Sequence, residues 1–155
     1  MILKPKIVIK AGEWKTGRID RNAFPLTPAR AFRTGARWTW RVDVLEIDRV
    51  ECRLLRAFEP RKQGFIAWLS YQRGDSYVVV ARLEFHGSEP GLHCHATCDP
   101  VSETPAGIVK PFGTRRVPKY GTRHRRTKYD MTEASALNTS FRFFKVKGTP
   151  EDAMI

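Results

Sequence analysis

Long apolar runs are missing from this chain of 155 residues, and nothing in it approaches the ~18 to 20 consecutive apolar residues that span a bilayer. The opening Met1-Ile2-Leu3-Lys4-Pro5 lacks the apolar core of a secretory signal. Cysteine is scarce: Cys52, Cys94 and Cys98 are odd in number and too few for a disulfide scaffold. Cys94 and Cys98 do not form a Cys-x-x-Cys pair, and no second pair completes a zinc finger. These absences argue against a membrane protein and a disulfide-rich secreted module, so a cytoplasmic protein without membrane attachment is expected. Acidic residues are also short, with 16 Asp and Glu against 28 Lys and Arg.

That shortage is uneven. Residues 1–41, 42–109 and 110–155 carry net charges of +8, −3 and +7 within the total of +12. Two basic flanks around a slightly acidic centre favour a polyanionic partner, DNA or RNA, over a merely soluble basic surface. The basic residues do not fall on an amphipathic helix, which disfavours a membrane surface. Four tryptophans and nine phenylalanines supply bulky anchors, and the length fits one domain over 1–155.

Period-two alternation dominates the centre. Trp38, Trp40, Val42 and Val44 alternate with Thr39, Arg41 and Asp43, and Cys52 to Phe58 reads as a second strand. Phe65–Gln72 and Tyr77–His86 flank the turn Arg73-Gly74-Asp75-Ser76. With Leu92–Thr97 they form an antiparallel meander of about five strands over 37–98. Lys6–Lys10 reads as a further edge strand, and Thr27–Gly35 carries helix start and stop signals. From 99 to 129 Pro and Gly interrupt any pattern, predicting a long basic arm. Asp130 and Glu133 then suggest a capping box for a helix with Met131, Ala134, Leu137, Phe141 and Phe144 on one face, ended by Gly148-Thr149-Pro150. The expected fold is α+β: an antiparallel meander sheet of five to six strands, a long basic loop, and a C-terminal helix packed on one face.

Three of the four histidines lie close together, and alternation sorts them by face. Glu84 and His86 share a face, as do His93 and His95. A hairpin with His86 opposite His93 and Glu84 opposite His95 makes one patch of three imidazoles and a carboxylate. Leu92, Cys94 and Ala96, with Leu83 and Phe85, form the other, apolar face, so Cys94 reads as core. Three readings of the polar face stand side by side. In one, His86, His93 and His95 bind a divalent metal, zinc or manganese, for hydrolysis, with Glu84 as fourth ligand or as general base. In another, the histidines act as metal-free general base and acid, with Arg82 or an arm arginine stabilising the charged transition state. In the third, they are structural.

His93-Cys94-His95 also resembles the His-hydrophobic-His element of HUH endonucleases. The resemblance implies a metal on a strand of an antiparallel sheet and a catalytic tyrosine downstream, where Tyr120 and Tyr129 stand. It covers only these few residues, and Tyr120 is followed by Arg123 where that family carries lysine.

Between Lys110 and Lys128 the arm holds eight Lys and Arg and no acid. Arg115, Arg116, Lys119, Arg123, His124, Arg125, Arg126 and Lys128 are suited to a phosphate backbone, with Tyr120 able to stack on an unpaired base. The sequence therefore predicts a nucleic-acid-binding protein, either a small phosphodiesterase or nuclease working through the histidine patch, or a non-catalytic DNA- or RNA-binding accessory protein with structural histidines.

Overall fold

A computed structural model of the chain describes residues 2–20, 22–24, 35–62, 64–85, 92–96, 114–116 and 132–148. Its centre is the expected meander: β3 (Thr39–Ile47), β4 (Val50–Glu59), β5 (Gly64–Arg73), β6 (Ser76–Phe85) and β7 (Leu92–Ala96), each antiparallel to the next. The β3–β4 turn is two residues, Asp48 and Arg49, both at positive φ (50° and 64°). That backbone twist matches the twist of the flanking strands, which is why such turns close tight hairpins. Gly74, with φ 58°, occupies the equivalent two-residue turn between β5 and β6.

The sheet is larger than a five- or six-strand meander, and this corrects the sequence expectation. Nine strands are present among the described residues. β1 (Lys6–Lys10) joins β3 antiparallel, β2 (Lys15–Thr16) pairs the start of β3, and β9 (Val146–Lys147) lies parallel to β1, so the sheet is mixed. On the other side β8 (Thr114–Arg116) pairs with β7, placing a strand inside the segment read as an irregular arm. A strand of three residues held by backbone hydrogen bonds leaves no periodic trace in a Pro- and Gly-rich sequence.

The single described α-helix, α1 (Glu133–Phe144), packs on one face of the sheet as expected. Its cap differs from the predicted one. Thr132 is the N-cap, its hydroxyl accepting from the Ser135 N–H while Ser135 Oγ accepts from the Thr132 N–H. Asp130 and Met131 lie outside the described residues. Ala136, Ser140 and Phe144 are the buried line of α1, and Ala134 is exposed. Lys145 ends the helix in a left-handed conformation (φ 51°) ahead of Gly148. The Lys6 ammonium reaches the same end, donating to Phe144 O at 3.0 Å as well as to Ile2 O and Lys4 O. A cation there complements the negative end of the helix dipole.

Both faces of the sheet are buried at its centre. Leu45, Leu54, Phe58, Phe65, Leu69, Leu83, Phe85, Leu92 and Cys94 pack with Ala136 and Phe144 on the helix side. Phe24, Trp40, Leu55, Ala57, Ile66, Trp68 and Val79 cluster on the other. Burial on both faces explains why Cys52–Phe58 and Phe65–Tyr71 read as nearly continuous apolar runs with blurred alternation. β3 changes its buried face midway, from Trp40 to Leu45 and Ile47, and Asp43 is fully buried where alternation placed it in water.

One irregularity decides what the second face carries. The β5–β6 register shifts by one residue between Leu69 and Ser70. On β6 the helix-side residues are therefore Val78 and Val80 before the bulge, but Ala81, Leu83 and Phe85 after it. Because side chains alternate with period two, that extra residue moves Arg82 and Glu84 to the face of Trp68 and Ile66. The segment 27–34, expected to be helical, lies outside the described residues. No helix among the described residues is long and apolar enough to cross a membrane.

Candidate metal centre

β6 and β7 pair with Glu84 opposite His93, Arg82 opposite His95 and Phe85 opposite Leu92. The expected register, with His86 opposite His93 and Glu84 opposite His95, is thus displaced by two residues. A slip of two preserves faces where a slip of one would have inverted them. Glu84, His93 and His95 consequently still share one side, while His86 lies outside the described residues. Leu92 and Cys94 join the helix-side core as parity required.

Glu84, His93 and His95 each offer a ligand atom, and these atoms all lie within 4.8 Å of one another. Glu84 Oε2 stands 3.9 Å from His93 Nε2 and 3.8 Å from His95 Nε2. Those separations exceed hydrogen-bond reach but suit a shared ion, since two donors each ~2.1 Å from one metal lie at most about 4.2 Å apart. The imidazole rings meet edge to face, with centroids 4.9 Å apart and planes at 87°. Two imidazoles and a carboxylate form a ligand set able to hold a divalent ion and leave coordination positions open. Glu84 and His93 are buried, and His95 is partly exposed.

The second carboxylate oxygen is engaged elsewhere. Glu84 Oε1 lies 3.1 Å from Arg82 Nε and accepts from Trp68 Nε1 at 3.2 Å. The Arg82 guanidinium stands 5.7 Å over the Trp68 ring. Arg82 therefore lies beside the cluster, neighbouring Glu84 two residues along the same strand. Trp68 is the member that sequence reasoning missed. Counting back from the Arg73–Ser76 turn pairs Trp68 with Ala81, and only the bulge brings it opposite Arg82.

Cys94 sits between the two histidines in sequence yet faces the helix-side core. Burial, chiefly, pushes its thiol up to about 11, which keeps it protonated at neutral pH and unsuited as a ligand.

β8 ties part of the arm to this site. Arg116 is opposite His93, Arg115 opposite Cys94 and Thr114 opposite His95 in backbone register. Lys119, Tyr120, Arg123, His124, Arg125, Arg126, Lys128 and Tyr129 lie outside the described residues. No family model matches the sequence, and no curated protein or solved structure matches it either.

Proposed function

We propose that the protein is a small phosphodiesterase directed at nucleic acid, with Glu84, His93 and His95 holding a divalent ion, zinc or manganese. The observation that carries this reading is the convergence of the three ligand atoms within 4.8 Å on adjacent strands. A bound divalent ion supplies a Lewis acid for a phosphoryl oxygen and lowers the pKa of a water. The chain's own contribution is to bring the two imidazoles and the carboxylate together on a rigid sheet and to anchor a basic segment beside them. The pairing of β8 with the histidine strand supports that second part, because it joins the arginine-rich stretch to the site through the backbone. Arginines in such a segment neutralise phosphates without requiring one fixed conformation.

Elemental analysis of the purified protein tests the reading. One equivalent of metal, lost in His93→Ala together with cleavage of labelled DNA or RNA, is the expected result. A protein with neither metal nor cleavage overturns it. The near-complete burial of Glu84 and His93 (7% and 3% exposed) favours a second reading, a non-catalytic nucleic-acid-binding protein in which the cluster is structural. It predicts salt-dependent binding without cleavage. Replacing Arg115, Arg116, Arg123, Arg125 and Arg126 by alanine should flatten the fall of affinity with salt under either reading, and an unchanged slope removes nucleic acid as the partner.

A further inference from the structure

The two oxygens of Glu84 face different surroundings. Oε1 accepts from Trp68 Nε1 and forms an ion pair with Arg82 Nε, while Oε2 faces both imidazoles. The terminal torsion of a glutamate is broad and roughly two-fold, so a carboxylate on a strand face does not present one oxygen unless something fixes its plane. Trp68 supplies a neutral, directional donor for this. It projects from β5 on the same face and is itself 3% exposed among Leu55, Ile66 and Val79.

We infer that Trp68 is a positioning residue of the metal centre: its indole N–H locks Glu84 so that Oε2 is the oxygen offered to the ion shared with His93 and His95. The inference rests on the metal reading above. Groups that hydrogen-bond a ligating side chain typically contribute 10–100-fold to metal affinity. Arg82 Nε lies 3.1 Å from the same oxygen as an ion pair without a hydrogen bond to it, and removing it also deletes a positive charge beside a cation, so its effect on affinity mixes two opposing terms. Trp68 carries no charge, which makes it the clean probe.

The molecule contains its own control. Trp40 belongs to the same apolar cluster and is equally buried at 3% exposed, yet its Nε1 has no hydrogen-bond partner. The experiment is a Co²⁺ titration of the full chain by calorimetry, for wild type, Trp68→Phe and Trp40→Phe. The Co²⁺-induced rise in unfolding midpoint is followed in parallel. The expected result is affinity 10- to 100-fold weaker in Trp68→Phe, a correspondingly smaller thermal shift, and an unchanged affinity in Trp40→Phe. Wild-type affinity in Trp68→Phe, or equal losses in the two variants, overturns the positioning role and leaves the metal centre standing. A wild-type chain that takes up no Co²⁺ overturns the metal centre and this role with it. Trp68→Met, also without a donor, replaces the phenylalanine variant if that chain does not fold.

Discussion

Asp43 collects donors in the middle of a largely apolar sheet face. Its Oδ1 accepts from Arg41 Nε at 2.7 Å and from the Gly12 N–H at 2.9 Å, and its Oδ2 pairs with Arg56 Nη2. Arg56 is fully buried beneath the Phe141 ring, and its Nε and Nη1 have no hydrogen-bond partner. Burial first, and the like charge of Arg41 second, lower its pKa from the usual arginine value to about 9. The two partners are therefore not equivalent. Arg56→Met leaves Asp43 with Arg41 and Gly12, and it removes a guanidinium that was only partly satisfied. Asp43→Ala strands that guanidinium without its counter-ion, the kind of change that costs about 3–5 kcal/mol. Urea denaturation should rank Asp43→Ala well below Arg56→Met in stability, and equal losses would show that the pair acts symmetrically. Gly12 is constrained by the same cluster. A Cβ there would meet Val42 O at 2.1 Å, so β3 admits the preceding loop only where a side chain is missing.

Among the elements, the β3–β4 hairpin carries avoidable strain. Arg49 adopts φ 64° without being glycine, at a position where Asp-Gly is among the preferred pairs. A left-handed conformation costs a side-chain-bearing residue ~1–2 kcal/mol, and glycine returns part of that as chain entropy. Arg49→Gly is expected to stabilise the fold by about 0.5–1 kcal/mol, read as a thermal midpoint higher by roughly 2 °C. No rise would mean that the turn relaxes around arginine. The hairpins also show what was readable in advance. Period two separates Leu92 and Cys94 from His93 and His95 whatever the strands pair with, so the faces of β7 were legible. Register was not, because alternation fixes faces and not pairing, and the bulge beside Leu69 leaves no compositional mark. Trp68 was hidden for the same reason. The flanks β1 and β9 were illegible as a pair because a parallel contact between segments near opposite ends of the chain has no local signature. The mid-strand change of buried face in β3 escaped because Asp43 is polar, and its burial depends on Arg56, thirteen positions away on the next strand.

At the scale of the whole molecule, buried titratable groups on the helix side of the sheet make stability depend on alkaline pH. Burial pushes the Cys52 thiol from 9.0 up to about 12 and Cys94 up to about 11, and it raises the Tyr71 phenol as well. In the unfolded chain the thiols ionise near pH 9 while the native chain keeps its protons. The native state then binds more protons than the unfolded one, and stability falls from about pH 9 toward 11–12. Lys6 acts in the opposite sense. Desolvation lowers its ammonium from 10.5 to about 8, so between those values the unfolded state binds more protons and stability rises. The first effect of raising pH through 8 is therefore a gain or plateau, and the decline begins once the thiols take over above 9. Urea unfolding measured at pH 7.5, 8.5, 9.5 and 10.5 should trace that curve. Removing both buried thiols with Cys52→Ala and Cys94→Ala lowers stability throughout through the cavities left behind, yet it should weaken the decline above pH 9 and expose the rise from Lys6. A double variant whose stability drops as steeply as that of the wild type would place the alkaline sensitivity outside these thiols. In the native protein the same burial should leave Cys52 and Cys94 unreactive toward a thiol reagent at pH 8 until denaturant is added.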